Sequence, residues 1–223
     1  YTDSKSDTAA QFLPITGTLL PANNGQRIDS SAYLGEPTFN QYDATTLSAT
    51  FLASHRFNDV WSMEFTSRYT DAKADYRQAW PSFIGGDRFV SNTDGSLYLD
   101  GTVPRSFFRS DATSDQIAVD ARFRADFETG SVSHNVLGGI QYQDVTTGDN
   151  GYYIYALGYN FEPGAPSGTP GDTYWINVFN PVYGNVPPDE LLNASYAVGP
   201  ETTVEDVGLY LSDHATIGNW HLT

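Results

Sequence analysis

Cysteine is absent from this 223-residue chain, which excludes a disulfide framework and any thiolate chemistry. Positive charge is scarce: 11 Lys and Arg stand against 27 Asp and Glu, a formal net charge of −16. Such an acidic surface argues against nucleic acid, whose phosphates demand a basic partner. No run of about 18 apolar residues occurs, so no transmembrane helix is predicted. That absence leaves β-barrels open, because they cross a membrane with alternating strands and a weak hydropathy signal. No nucleophile elbow, phosphate loop or zinc-helix motif is present, and an enzyme is not expected. The four histidines, His55, His134, His214 and His221, lack ligand spacing with carboxylates, and "NTDGS" and "DNGYY" fall short of a calcium loop. Neither a metal nor a cofactor is expected.

Aromatic residues are plentiful: 15 Tyr, 13 Phe and 4 Trp, beside 20 Gly and 12 Pro. This mixture favours strands and loops over helix bundles. Strict alternation then appears. In "SDQIAVDARFRADF" the apolar series Ile117, Val119, Ala121, Phe123, Ala125 and Phe127 is interleaved with Asp120, Arg122, Arg124 and Asp126. Period two is the spacing of a strand with unlike faces, and this strand is longer than the usual 5–6 or so residues. Leu47, Ala49, Phe51, Ala53 and Phe57 make a similar series, and Trp61, Met63, Phe65 and Tyr69 follow after a turn at Asn58–Asp59. Val136, Ile140 and Tyr142 form a return strand, and Val207, Leu209 and Leu211 another.

Short turns are expected near 58–60, 128–133 and 217–219, and long loops at 1–42, 72–113 and 146–201. In the last loop "PPDELLNASY" suggests a short helix capped by Asp189. Antiparallel strands then gather the short turns at one end and the long loops at the other. A transmembrane barrel sorts its connections in this way, with short periplasmic turns and long extracellular loops. Phe57, Trp61, Phe127 and Trp220 fall beside the short turns, with Tyr69 and Tyr142 toward the loops, as aromatic girdles flanking a lipid-facing band. The charges of the opening strand share the opposite parity and so face a lumen; Arg or Lys at mid-depth on the lipid side would cost about 2–4 kcal/mol. His134 and Asp213 fall on the apolar parity and are expected near an interface. The predicted fold class is all-β, an antiparallel transmembrane β-barrel segment. A soluble β-sandwich that binds carbohydrate through its loops and a passive porin remain the alternatives.

The strings "GTLLPANNGQRIDSSAYLGEPTFNQYD", "HRFNDVWSMEFTSRYTDAKADYRQ", "LGGIQYQ", "FNPVYG" and "VGLYLSD" occur in order from Gly17 to Asp213. Together they resemble the barrel region of TonB-dependent siderophore receptors, with most similarity to the ferrichrome and hydroxamate-type branch. The resemblance implies a barrel of about 22 strands around a plug domain, in the outer membrane of a Gram-negative bacterium. It implies that residues 1–223 are an internal part of the barrel domain, without plug or closing strands. Its partners would be a ferric siderophore, a TonB complex acting through the plug, and outer-membrane lipid. A siderophore would meet aromatic side chains of the outer loops, here Tyr76, Trp80, Tyr98, Tyr152, Tyr153, Tyr155 and Trp175. Tyr and Trp suit this because each offers a rigid apolar surface with one polar tip. "FNPVYG" is expected to act as a structural clip rather than a ligand contact.

Overall fold

Alternating side chains build long hairpins, and the turn residues between them fix the register. The structure, a computed structural model, describes residues 1–9, 13, 17–22, 25–82, 101–159 and 174–223. Its strands are β1 (Thr2–Ser6), β2 (Gln41–Arg56), β3 (Trp61–Pro81), β4 (Thr102–Val103), β5 (Arg105–Thr129), β6 (Val132–Ile154), β7 (Ile176–Asn177), β8 (Ala197–Val198), β9 (Thr202–Ile217) and β10 (Trp220–Leu222). One antiparallel sheet runs in the order β1-β2-β3-β5-β6-β9-β10, with β8 added to β6; β4 and β7 form a separate two-stranded sheet. No helix among the described residues is long and apolar enough to cross a membrane.

The short turns match their residues. Asn58 accepts the amides of Val60 and Trp61 on its side-chain oxygen at 2.9 and 2.8 Å, which turns β2 into β3. Thr129 pairs with Val132 across Gly130–Ser131, and Ile217 with Trp220 across Gly218–Asn219. Both glycines have positive φ, +64° and +59°. Glycine in the first of two loop positions gives a turn whose twist matches that of the strands it joins.

The strands run further than alternation predicts. β3 has 21 residues, β5 25 and β6 23, so much of 72–81, 105–113 and 146–154 is sheet rather than loop. Residues 1–42, expected as loop, contain β1. The reason is that the unlike faces end partway up. Toward the long-loop end the parity that was apolar and bare becomes covered. Segments around Phe39, Val186 and Leu192 lie across Ala79, Phe107 and Tyr152 and bury them. A second cluster joins Ala22, Ile28 and Leu34 to Val103, Ile176 and Val178. With a layer on one side and water on the other, residue type no longer follows period two.

The short helix exists, as α1 (Asp189–Asn193), but its N-cap is Pro188 with no side-chain cap. Asp189 is instead the first helical residue. With Glu190 it places negative charge in the first turn, where the helix dipole favours it.

Candidate ligand-binding face

Directly opposed residues share a face, so the register assigns every side chain to one of two surfaces. The apolar surface carries rows such as Ala53, Phe65, Ala121, Ile140 and Leu209, opposed in turn across five strands. Its large side chains are exposed: Ile117 is 48% accessible and Leu209 79%. A strand rises about 3.3 Å per residue, so Ile117 to Phe127 covers roughly 33 Å. At the roughly 35–45° tilt of outer-membrane barrels this projects to about 25 Å, the height of their apolar band.

Polar groups mark both edges of the band. At the short-turn edge His134 and Asp213 meet through Nδ1 and Oδ2 at 2.7 Å, and His134 stacks on Phe127 with centroids 5.0 Å apart. The two exceptions of the sequence pattern thus satisfy each other. At the other edge the hydroxyls of Tyr69 and Tyr142 donate to Asp115 and Asp144 at 3.2 and 3.3 Å. The opposite surface carries the charges. Arg122 lies 3.1 Å from Asp120 and 3.5 Å from Glu64, Arg124 lies 3.2 Å from Asp126, and the Tyr210 hydroxyl donates to Asp120 at 2.9 Å.

Higher on that polar surface stands a band of aromatic rings. Tyr42 meets Tyr76 edge-on at 6.0 Å, Tyr76 meets Phe108 at 5.6 Å, and Phe108 meets Tyr153 at 6.5 Å. Tyr153 then stacks on Trp80, 5.8 Å and 13° apart, with Tyr155 6.3 Å away. Tyr153 and Tyr155 present about half of their surface, 57% and 49%. Burial raises the Tyr76 phenol above its ordinary pKa, which keeps it neutral. Below the band lies a groove of about 500 Å³ whose floor includes Ala44, Ala72, Ala74 and Ala112, with Thr46, Ser114 and Asp149. Tyr42 belongs to both band and groove. Small side chains leave the space, and Tyr42 is the one ring of the band that lines it. That combination suits a compact ligand with apolar and polar faces.

Four sequence-chosen residues, Tyr76, Trp80, Tyr153 and Tyr155, are therefore brought together. Two are not. Tyr152 points to the covered surface and is buried beside Phe107 and Leu192, its phenol raised chiefly by burial. Trp175 is 4% accessible and donates its indole N–H to the Leu157 carbonyl at 2.9 Å. Tyr98 lies outside the described residues. Tyr42, Phe108 and Asp149 join the site without having been chosen. Extending the even parity of β2 and β5 upward would have found the first two. Among the described residues no group of three or more His, Asp or Glu could hold a metal ion.

The covering layer is clamped by one buried ion pair. Arg105 and Glu36 have no exposed side-chain surface and meet at 2.9 Å. Arg105 also donates to the carbonyls of Tyr174, at 2.7 Å, and Asn185. Glu36 accepts from the Gly184 amide and from Thr38, both at 3.1 Å. The Tyr183 hydroxyl donates to the Tyr33 carbonyl at 2.6 Å. "YLGEP" and "FNPVYG" are thus tied together on the covered side, which makes the latter a structural clip. Burial pulls the Arg105 pKa below its ordinary value, and Glu36 offsets part of that pull. A buried pair is tolerated when partners fill its remaining hydrogen-bonding capacity, as they do here.

No family model matches the chain. A ferrioxamine receptor of Yersinia enterocolitica is 26% identical over 198 residues, covering 89% of this chain and 24% of the relative. A ferrioxamine B receptor of Salmonella typhimurium is 26% identical over 211 residues, covering 95% and 25%. Among solved structures, the ferric-catecholate import receptor Fiu of E. coli, in its closed form, superposes with a TM-score of 0.67. That match covers 97% of this chain and 28% of Fiu at 17% identity.

The chain has the fold of a siderophore-receptor barrel wall.

The wall spans about a quarter of the length of the curated relatives it matches. Its exposed apolar belt is the outer-membrane surface, its short turns are periplasmic, and its long loops are external. The polar surface is the lumen side, and the aromatic band stands at its outer end. The all-β transmembrane reading from alternation is borne out. The soluble sandwich is not supported, since the belt on the apolar face carries no second sheet among the described residues.

Proposed function

We propose that residues 1–223 are a stretch of the barrel domain of an outer-membrane receptor for ferric siderophores, energised by a TonB complex acting on a plug domain. The observation that carries this reading is the aromatic band from Tyr42 to Tyr155, continuous with a groove on the lumen side of a wall whose other side is an apolar belt. Ligand arriving from outside meets the rings first. They offer rigid area at low entropic cost and hydroxyls for orientation. Tyr76, Trp80, Tyr153 and Tyr155, with Tyr42 and Phe108, are the contacts this reading favours. Tyr152 and Trp175 serve it by holding the outer layer in place.

The names of the two relatives support a ferrioxamine-type cargo. The test is uptake. The complete protein is expressed in a Gram-negative strain lacking its own siderophore receptors, and radiolabelled iron is supplied as ferrioxamine B. Saturable uptake that stops when the proton-motive force is collapsed is the expected result. Uptake that is unsaturable and insensitive to that collapse would mean a passive pore, and the receptor reading would fall.

A further inference from the structure

We infer that the lower edge of the apolar belt holds a phospholipid whose headgroup carries a primary ammonium, bound by Asp213 and His134. Such a site depends only on the belt facing lipid, whatever cargo the lumen side carries. The register puts both residues on the lipid side at the level of the aromatic girdle. Asp213 shares a row with Trp61, through Val136 and Ala125, and His134 stands between Phe127 and Ala215, which opposes Leu222. Headgroups lie at the depth of such a girdle. On the lipid side of β2 from Leu47 to His55, β3 from Trp61 to Tyr69, β5 from Ile117 to Phe127, β6 from His134 to Tyr142 and β9 from Val207 to Ile217, no Lys or Arg occurs. Over that span Asp213 is the one carboxylate on the face. Its only protein partner among the described residues is His134.

Their contact leaves a defined set of free groups. His134 Nδ1 meets Asp213 Oδ2 at 2.7 Å. A carboxylate only accepts, so Nδ1 carries the hydrogen and Nε2 of the neutral ring is a bare acceptor. Asp213 Oδ1 is a second acceptor. The His134 side chain is 21% accessible and that of Asp213 41%, so both are open to the bilayer. Two acceptors beside a negative charge fit a primary ammonium, which brings three N–H donors and one positive charge. A quaternary ammonium has no N–H to give, and a glycerol headgroup has no cation. The Phe127 ring, stacked on His134, adds an aromatic face that attracts positive charge. Leu211 and Trp220, 80% and 75% accessible, offer apolar area to the acyl chains. Without such a ligand the carboxylate would meet the acyl boundary with one oxygen unsatisfied, which is costly.

The complete protein, delipidated in detergent, is offered equal amounts of phosphatidylethanolamine, phosphatidylcholine and phosphatidylglycerol with the same acyl chains. Native mass spectrometry then reads the lipid retained. Phosphatidylethanolamine is expected to be retained at least about threefold over each of the others. Asp213→Asn should bring the three to parity, whereas Asp144→Asn, at the outer edge of the belt, should leave the preference intact. Heat-modifiable mobility checks that each variant is folded. Equal retention by the unaltered protein overturns the site, as does a preference that survives Asp213→Asn. Phosphatidylglycerol retained as strongly as phosphatidylethanolamine overturns it too, since the phosphate and not the ammonium would then be read. None of these outcomes bears on ferrioxamine uptake, so the lipid site and the receptor reading fail separately.

Discussion

Phe123 and Phe107 stand on one strand and on one parity, yet their surroundings are opposite. Phe123 is exposed in the apolar belt, and Phe107 is wholly buried under the outer layer. The same contrast separates Ile140 from Ile154 on β6. In the lower part of the wall the apolar parity is bare and awaits lipid. In the upper part it is covered by protein, and the rings gather on the other face. The wall therefore changes its packing partner partway along β3, β5 and β6. What was a solvent boundary below becomes a core above.

The largest expected effect comes from breaking the outer part alone. Glu36→Ala leaves the Arg105 guanidinium buried and unpaired, a loss of about 3–5 kcal/mol. The clip between "YLGEP" and "FNPVYG" should open, so limited proteolysis of outer membranes should cut near residues 180–186. Heat-modifiable mobility of the barrel should persist. Loss of that mobility as well would mean that belt and outer layer are one cooperative unit, and the division drawn here would be wrong.

The belt is tested by a pair on neighbouring positions of β6. Ile140→Arg, on the lipid side, should destabilise folding into vesicles by about 2–4 kcal/mol. Gln141→Arg, on the lumen side, should change it by roughly 0.5 kcal/mol or less. Equal effects in denaturant titrations would erase the distinction between the faces.

A smaller effect sharpens the comparison within the outer part. Trp80→Ala removes the stack on Tyr153, worth about 0.5–1.5 kcal/mol, and should weaken ferrioxamine B binding about three- to tenfold. Trp175→Ala should leave affinity unchanged in protein that keeps its outer layer, judged by the same proteolysis. A Trp175 variant that kept the layer and lost affinity would return that residue to the site.

The smallest effect is a pH dependence of the covering layer. Burial raises the Tyr152 phenol, so the folded state favours the neutral form. Its contribution is fully present below the ordinary tyrosine value of about 10 and is lost as pH rises through the raised one. Proteolysis at 180–186 should therefore accelerate only in alkaline buffer. An onset near neutral pH would point to another group.

Alternation, turn residues and aromatic placement were enough to read strands, short turns, the lipid-facing parity and the lumen charges. Each is a local consequence of backbone geometry and of the cost of charge in lipid, and so is written residue by residue. The pairing of His134 with Asp213 was half legible: their parity and edge position could be read, but their meeting across two strands could not. The upper wall was illegible by the same rule. Once distant segments cover one face, Ala79, Phe107 and Tyr152 lose the contrast that period two detects. The site followed the same limit. Aromatic abundance pointed to Tyr76, Trp80, Tyr153 and Tyr155, whereas only the register across β2, β3, β5 and β6 separated them from Tyr152 and brought Tyr42, Phe108 and Asp149 beside them. Sequence alone determined long antiparallel strands with two unlike faces and favoured lipid over a sandwich core, because an apolar neighbour of either kind imposes its demand on every second residue. Tertiary structure decided which rings face the lumen and which hold the roof, because neighbouring residues on one strand point to opposite sides and only strand pairing says what waits there.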